Sequence, residues 1–244
     1  MENITFIGKR PWLFSLLLLL LLIIVQALGV AAAQLMGLPP NTFSVYTEIL
    51  LTITMIIIVS RMKWWRKIGF RKVDRTASLL IFLPALALVI GNLTFGIAIT
   101  QMGTLLTFGL LAATSGFVEE AVFRGLMLRA FLPRGEWKAV LITAAIFGFT
   151  HFMNIFAGYD PLYAVIQVAY ALAIGFCFGA MAIKGGVIWP LVIIHALGNF
   201  FALINDGQIG LHLYIVSLTY IVLFTGWGLY LMLHKQQSGQ AVLV

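Results

Sequence analysis

The chain has 244 residues, 62% hydrophobic and 9% charged, with a net charge of +7 and a mean hydropathy of +1.06. These values exclude a soluble globular domain and indicate a polytopic membrane protein with little chain left for a separate soluble domain. The single cysteine, Cys177, permits no internal disulfide and, inside an apolar run, reads as a packing residue.

Eight apolar runs are long enough to span a bilayer: Trp12–Met36, Phe43–Val59, Leu79–Thr100, Leu105–Leu128, Ala139–Ala157, Leu162–Ile183, Val187–Ile204 and Leu211–Leu233. Each approaches the roughly 20 residues that a hydrocarbon core of about 30 Å requires. Lys9 and Arg10 ahead of the first run, and Ala31–Ala33 near its end, resemble a signal peptide. The apolar stretch is too long for a signal-peptide core, which predicts a retained first helix. With the N-terminus inside, fourteen of the fifteen Lys and Arg residues fall in inner loops or at inner helix ends, and only Arg124 lies within a run. The outer connections carry Asp160 and Asp206 and no base. The expected fold is therefore all-α, with eight transmembrane helices and both termini cytoplasmic. The basic charge faces the inner membrane surface, so nucleic acid is not an expected partner.

Between the second and third runs, Arg61–Lys72 interleaves bases with Trp64, Trp65, Ile68 and Phe70. That pattern predicts a segment lying in the interface, rings at headgroup depth and cations toward anionic lipid. The tail from Gln236 onward is expected to fray.

The fourth run breaks the apolar pattern. Glu119, Glu120 and Arg124 lie within six residues of one another, and an ionisable group at the bilayer centre costs roughly 2.5–3.5 kcal/mol on insertion scales. On a helix, Glu120 and Arg124 are four apart and share a face, so they pair. Glu119 lies about 100° round the helix, poorly placed for Arg124, and is left free. His151 falls within the fifth run and His195 within the seventh, with Asn199 one turn beyond on the same face. By helical rise, Glu119, His151 and His195 lie roughly 15, 20 and 16 Å above the basic inner ends of their helices. They can therefore meet near the midplane, with Gly148, Gly175, Gly179 and Gly198 permitting close approach. His212 and His234 fall at the ends of the last run and are assigned no role.

A carboxylate and an imidazole sharing a water can make it a nucleophile. A second imidazole and a carboxamide offer donors to an oxyanion. That set suits peptide-bond hydrolysis. Glu119, His151 and His195 would also suit Zn²⁺ with an open position for water, although no H-E-x-x-H spacing supports it. Ser115 lacks a histidine neighbour in sequence and is a weaker nucleophile candidate.

The three motifs, Glu119-Glu120-Ala-Val-Phe-Arg124, Phe147-Gly-Phe-Thr-His151 and His195-Ala-Leu-Gly-Asn199, occur in order on separate apolar runs. In this the chain resembles the CPBP family of intramembrane proteases, which includes CAAX prenyl endopeptidases and bacteriocin-processing or self-immunity relatives. The resemblance covers roughly residues 104–205, a catalytic core between the N-terminal helices (1–103) and a final helix with a short tail (206–244). It implies that Glu119 and His151 activate water, that His195 and Asn199 stabilise the oxyanion, and that Glu120 and Arg124 support the site. It implies a cavity opening from the bilayer or the inner face, and a membrane-associated protein or peptide as substrate. Family members are often labelled metalloproteases, and a metal-free glutamate mechanism has also been proposed for them. The expected location is a bacterial or archaeal cell membrane. A non-catalytic immunity or scaffold protein would keep the same motifs. A transporter would also bury Glu, His and Arg, but the paired broken helices of an inverted repeat are not evident.

Overall fold

The computed structural model describes residues 7–73, 76–152, 160–207 and 209–234. The predicted end of the fifth run at Ala157 and the tail from Gln236 lie outside them. The protein is all-helical, with no strand among the described residues. In chain order come α1 (Pro11–Leu35), α2 (Ser44–Met62), a 3₁₀ segment (Thr76–Leu86) running into α3 (Ala87–Leu93), and α4 (Met102–Glu120). A π-helical stretch, Ala121–Met127, continues α4 into the single turn α5 (Leu128–Phe131) and a 3₁₀ turn (Leu132–Arg134). α6 (Glu136–Thr150), α7 (Pro161–Gly185), α8 (Trp189–Ile204) and α9 (Leu211–Leu233) complete the bundle.

Five of these helices are long and apolar enough to cross a membrane: α1, α2, the composite Met102–Arg134, α7 and α9. The third and seventh runs form shorter apolar helices, Ser78–Leu93 and Trp189–Ile204, and α6 has 15 residues. The third run departs furthest from expectation. Pro84, which has no N–H to donate, sits within its 3₁₀ segment. Its helix ends at Leu93, and Gly96 (φ +77°) turns the chain out. The amides of Ala98 and Ile99 then both donate to Ile204 O, at 2.9 and 3.1 Å. Non-helical backbone here satisfies itself by capping the C-terminal end of α8.

α7 is the central helix, buried almost continuously from Ala171 to Ile183. It packs against α6 on one side and α9 on another, while α4 packs against α8 and α2. A helix apolar all round belongs in the interior of such a bundle. α1 lies at the periphery with Leu16, Leu17 and Ile24 about half exposed, as lipid-facing side chains are. Gly148, Gly175 and Gly179 sit at the α6–α7 contact and Gly198 faces Leu88 of α3, rather than between the helices that carry Glu119, His151 and His195. The closest approach to a neighbouring helix backbone near the motifs involves a fifth glycine. A Cβ on Gly116 of α4 would lie 2.9 Å from the backbone nitrogen of Ala196 on α8, so only glycine lets these helices come this close.

The basic segment after α2 is less peripheral than its composition predicts. Lys63 (φ +56°) ends α2 in the left-handed region and turns the chain back. Trp64 and Ile68 are buried, Ile68 lying against Gly125 of the π stretch. Gly69 O accepts from Ile188 N (3.1 Å), and Arg71 Nε donates to Gly186 O (2.9 Å). Trp65 stacks on Phe117 of α4, with centroids 6.3 Å apart. Burying these side chains removes apolar surface from water and polar headgroups alike. The segment is thus a wedge under the α7–α8 turn, with Arg71 drawn into the contact and Arg61, Lys63, Arg66, Lys67 and Lys72 left exposed.

Candidate active site

The last two residues of α4 are Glu119 and Glu120, and the backbone then loosens. Leu128 N–H bonds Phe123 O, five residues back, and every residue of Ala121–Met127 is buried. π turns occur frequently at functional sites. Across the boundary, Arg124 Nη1 donates to Glu120 Oε1 at 2.9 Å, with both side chains essentially inaccessible. The pairing read from the i, i+4 spacing is therefore present. The guanidinium also lies 4.2 Å from the ring centroid of Phe147 and 5.3 Å from that of Phe178, so aromatic faces cover the cation where water would otherwise have to.

Glu120 makes a second contact. His195 Nδ1 on α8 lies 2.7 Å from the same Oε1. The other ring nitrogen, Nε2, faces Glu119 Oε2 at 3.6 Å, an ion-pair separation longer than a hydrogen bond. The imidazole thus stands between both glutamates, and Gly116, one turn before Glu120 on α4, is the contact that brings α8 near enough for this. The Glu119 side chain is 30% exposed.

His151, which caps the C-terminal end of α6, places Nδ1 2.9 Å from Phe147 O. A carbonyl only accepts, so Nδ1 carries the proton and Nε2 of the neutral ring keeps its lone pair. The Phe147 ring lies edge-on to His151 (centroids 4.8 Å apart) and to His195 (6.3 Å). Asn199, one turn beyond His195, donates Nδ2–H to Ser115 Oγ at 3.1 Å. The Ser115 hydroxyl in turn donates to Ala112 O at 3.3 Å.

A cavity of about 700 Å³ has Ser115, Phe147, His151, His195 and Asn199 on its wall. Glu119 adjoins it through His195. The structure brings together Glu119, Glu120, Arg124 and His195 in direct contact. His151 joins them through Phe147 and lies within electrostatic reach of Glu119, while Asn199 joins on the shared face of α8. His212 bonds Thr94 at 2.8 Å and His234 lies against Tyr230, both at helix ends and away from this group. Cys177 is buried and free. No three His, Cys, Asp or Glu side chains among the described residues are grouped to hold a metal ion.

The same cavity wall contains Gln26 and Glu48, which the motif pattern does not include. Glu48 lies within the second apolar run, where the reasoning that singles out Glu119 applies equally. Gly116 and Ser115 carried no comparable signal.

No curated protein matches the chain. Residues 100–201, which contain every motif side chain from Glu119 to Asn199, match the family described as type II CAAX prenyl endopeptidase Rce1-like. That match points to protease activity in an integral membrane protein, and over this stretch, less than half of its length, the chain is similar to that family.

Proposed function

We propose that the protein is an intramembrane endopeptidase that hydrolyses a peptide bond of a membrane-associated protein or peptide with an activated water. The observation that carries this reading is the buried chain Arg124–Glu120–His195–Glu119 beside a cavity whose wall also holds His151 and Asn199.

Glu119 and His151 Nε2 are the proton acceptors. A water between them loses a proton as its oxygen adds to the scissile carbonyl. His195 donates Nδ1–H to Glu120 and turns Nε2 toward Glu119. With Arg124 positive and both glutamates negative, a protonated His195 brings the buried group to neutrality, which a low-dielectric site demands. Its Nε2–H and the second N–H of Asn199 are then donors for the developing oxyanion. On collapse the C–N bond breaks, and the proton taken from water passes to the leaving amine. Every proton is accounted for by these side chains. No step is routed through a metal.

The eight helical segments are proposed to cross or enter the bilayer with both termini inside, as the Lys and Arg distribution requires. The substrate classes consistent with the Rce1-like match are the C-terminal CAAX sequence of a prenylated protein and a bacteriocin-type peptide. The deciding experiment compares membrane-associated peptides in cells carrying the wild-type or the Glu119→Gln protein at equal folded amounts. Fragments present only with the wild type support the protease. Identical peptide sets, with a membrane peptide retained by both proteins, overturn it in favour of a non-catalytic immunity or scaffold role.

A further inference from the structure

Glu48 lies one turn into α2, is 9% exposed and forms part of the cavity wall. Its Oε1 accepts a short hydrogen bond, 2.5 Å, from Gln26 Nε2 of α1. Gln26 is itself fixed by Thr47, whose hydroxyl donates to Gln26 Oε1 at 3.0 Å. The second oxygen, Glu48 Oε2, is buried with no hydrogen-bond partner. No Lys or Arg belongs to the cavity wall among the described residues. A buried carboxylate held by one neutral amide, with its second oxygen unpartnered, is short of a cation. The cavity that it borders is of a size to take a peptide segment or small molecule.

We propose that Glu48, oriented by Gln26, forms a cation subsite of the cavity that takes the guanidinium or ammonium group of an Arg or Lys residue near the bond to be cut. A cation there occupies the orphaned Oε2, so the ligand supplies what the wall lacks. The identity of the ligand as a substrate side chain rests on the protease reading, whereas the binding of the cation does not. Glu48 lies outside residues 100–201, so the subsite belongs to the part of the chain beyond the Rce1-like match.

The test uses purified full-length protein and two amphiphilic probes, N-dodecanoyl-arginine amide and N-dodecanoyl-citrulline amide, which differ in one charge. Affinities are compared between wild type and variants in one detergent, so that partition into the micelle cancels. The wild type and Glu119→Gln are expected to prefer the arginine probe by about tenfold or more, as a charge-assisted contact supplies. Glu48→Gln, which keeps the bond from Gln26, brings the preference to within about twofold of unity. Glu48→Asp retains most of it. Where Glu48→Gln does not fold, Glu48→Leu takes its place, since removing a buried charge together with its polar atoms is tolerated better than stranding them. Equal affinity of the wild type for both probes overturns the subsite, as does a preference that survives neutralisation of Glu48. Peptide cleavage is read separately. Arginine preference without cleavage rejects the protease and leaves the subsite standing, and cleavage without the preference rejects the subsite alone.

Discussion

His195 Nδ1 and Glu120 Oε1 meet at 2.7 Å across the α4–α8 contact, and the same oxygen receives Arg124 at 2.9 Å. Glu120 is therefore more than the counter-ion of a buried arginine. It fixes which nitrogen of His195 carries a proton and where the ring points, as a carboxylate behind a functional histidine does elsewhere.

Glu119→Gln removes a proton acceptor while keeping size and polarity. Cleavage is expected to fall by about a hundredfold or more. The folded amount and the thermal midpoint in detergent should remain near wild type, because Glu119 is partly exposed and Glu120 still holds both Arg124 and His195 Nδ1. A variant that is inactive only in proportion to its loss of folded protein would contradict the assignment.

Glu120→Gln strands Arg124, and breaking a buried pair from one side costs about 3–5 kcal/mol. Arg124→Gln should be destabilised to a similar degree. The double change Glu120→Gln/Arg124→Gln should recover part of the stability, since neither charge is then left alone. It should not recover cleavage, because His195 still lacks its carboxylate. Recovery of both together would reduce Glu120 to a purely structural partner.

Gly116→Ala places a methyl group where the Ala196 backbone already stands. Overpacking of this kind costs about 1–3 kcal/mol. Because the strain separates α4 from α8, cleavage per folded molecule should fall more than tenfold, roughly the penalty that a displacement of an ångström brings in a preorganised site. Gly103→Ala, where a Cβ meets nothing within 4 Å, is the matched control and should be silent in both measurements.

Protein stripped of metal by chelation and dialysis should keep its cleavage rate within about twofold, since Glu119 and His151 supply the proton chemistry themselves. Loss of activity on chelation and its return with stoichiometric zinc would place a metal in the reaction.

In a Cys177→Ala background, single cysteines at Asn41, Asp160 and Asp206 should react with an impermeant thiol reagent from outside, and a cysteine at Lys72 should not. All four positions are exposed, so silence reports sidedness rather than burial. Outside labelling at Lys72 would invert the proposed orientation.

The ionisable residues of the site were legible because an apolar background makes any charge conspicuous. The Glu120–Arg124 pair followed from one-turn spacing alone. The contact of Glu120 with His195 was not legible, as it joins residues 75 apart in sequence and depends on Gly116, one glycine among 23. The π stretch gave no advance signal beyond Gly125. The early end of the third helix was written in Pro84 and Gly96, whose breaking tendencies a hydropathy window averages away. In the basic segment, composition predicts an interfacial location for the whole stretch. It could not tell that Trp64 and Ile68 would find a protein interior closer at hand than lipid.

Phe147 touches His151 and His195 with one ring and lies under the guanidinium of Arg124 with its face. Two imidazoles on separate helices thus share a single rigid plate as their common reference. A bilayer that thickens, thins or tilts the bundle displaces that plate and the histidines together. Their mutual spacing is consequently insulated from the lipid, and what the surrounding membrane can still vary is the route by which a peptide reaches them.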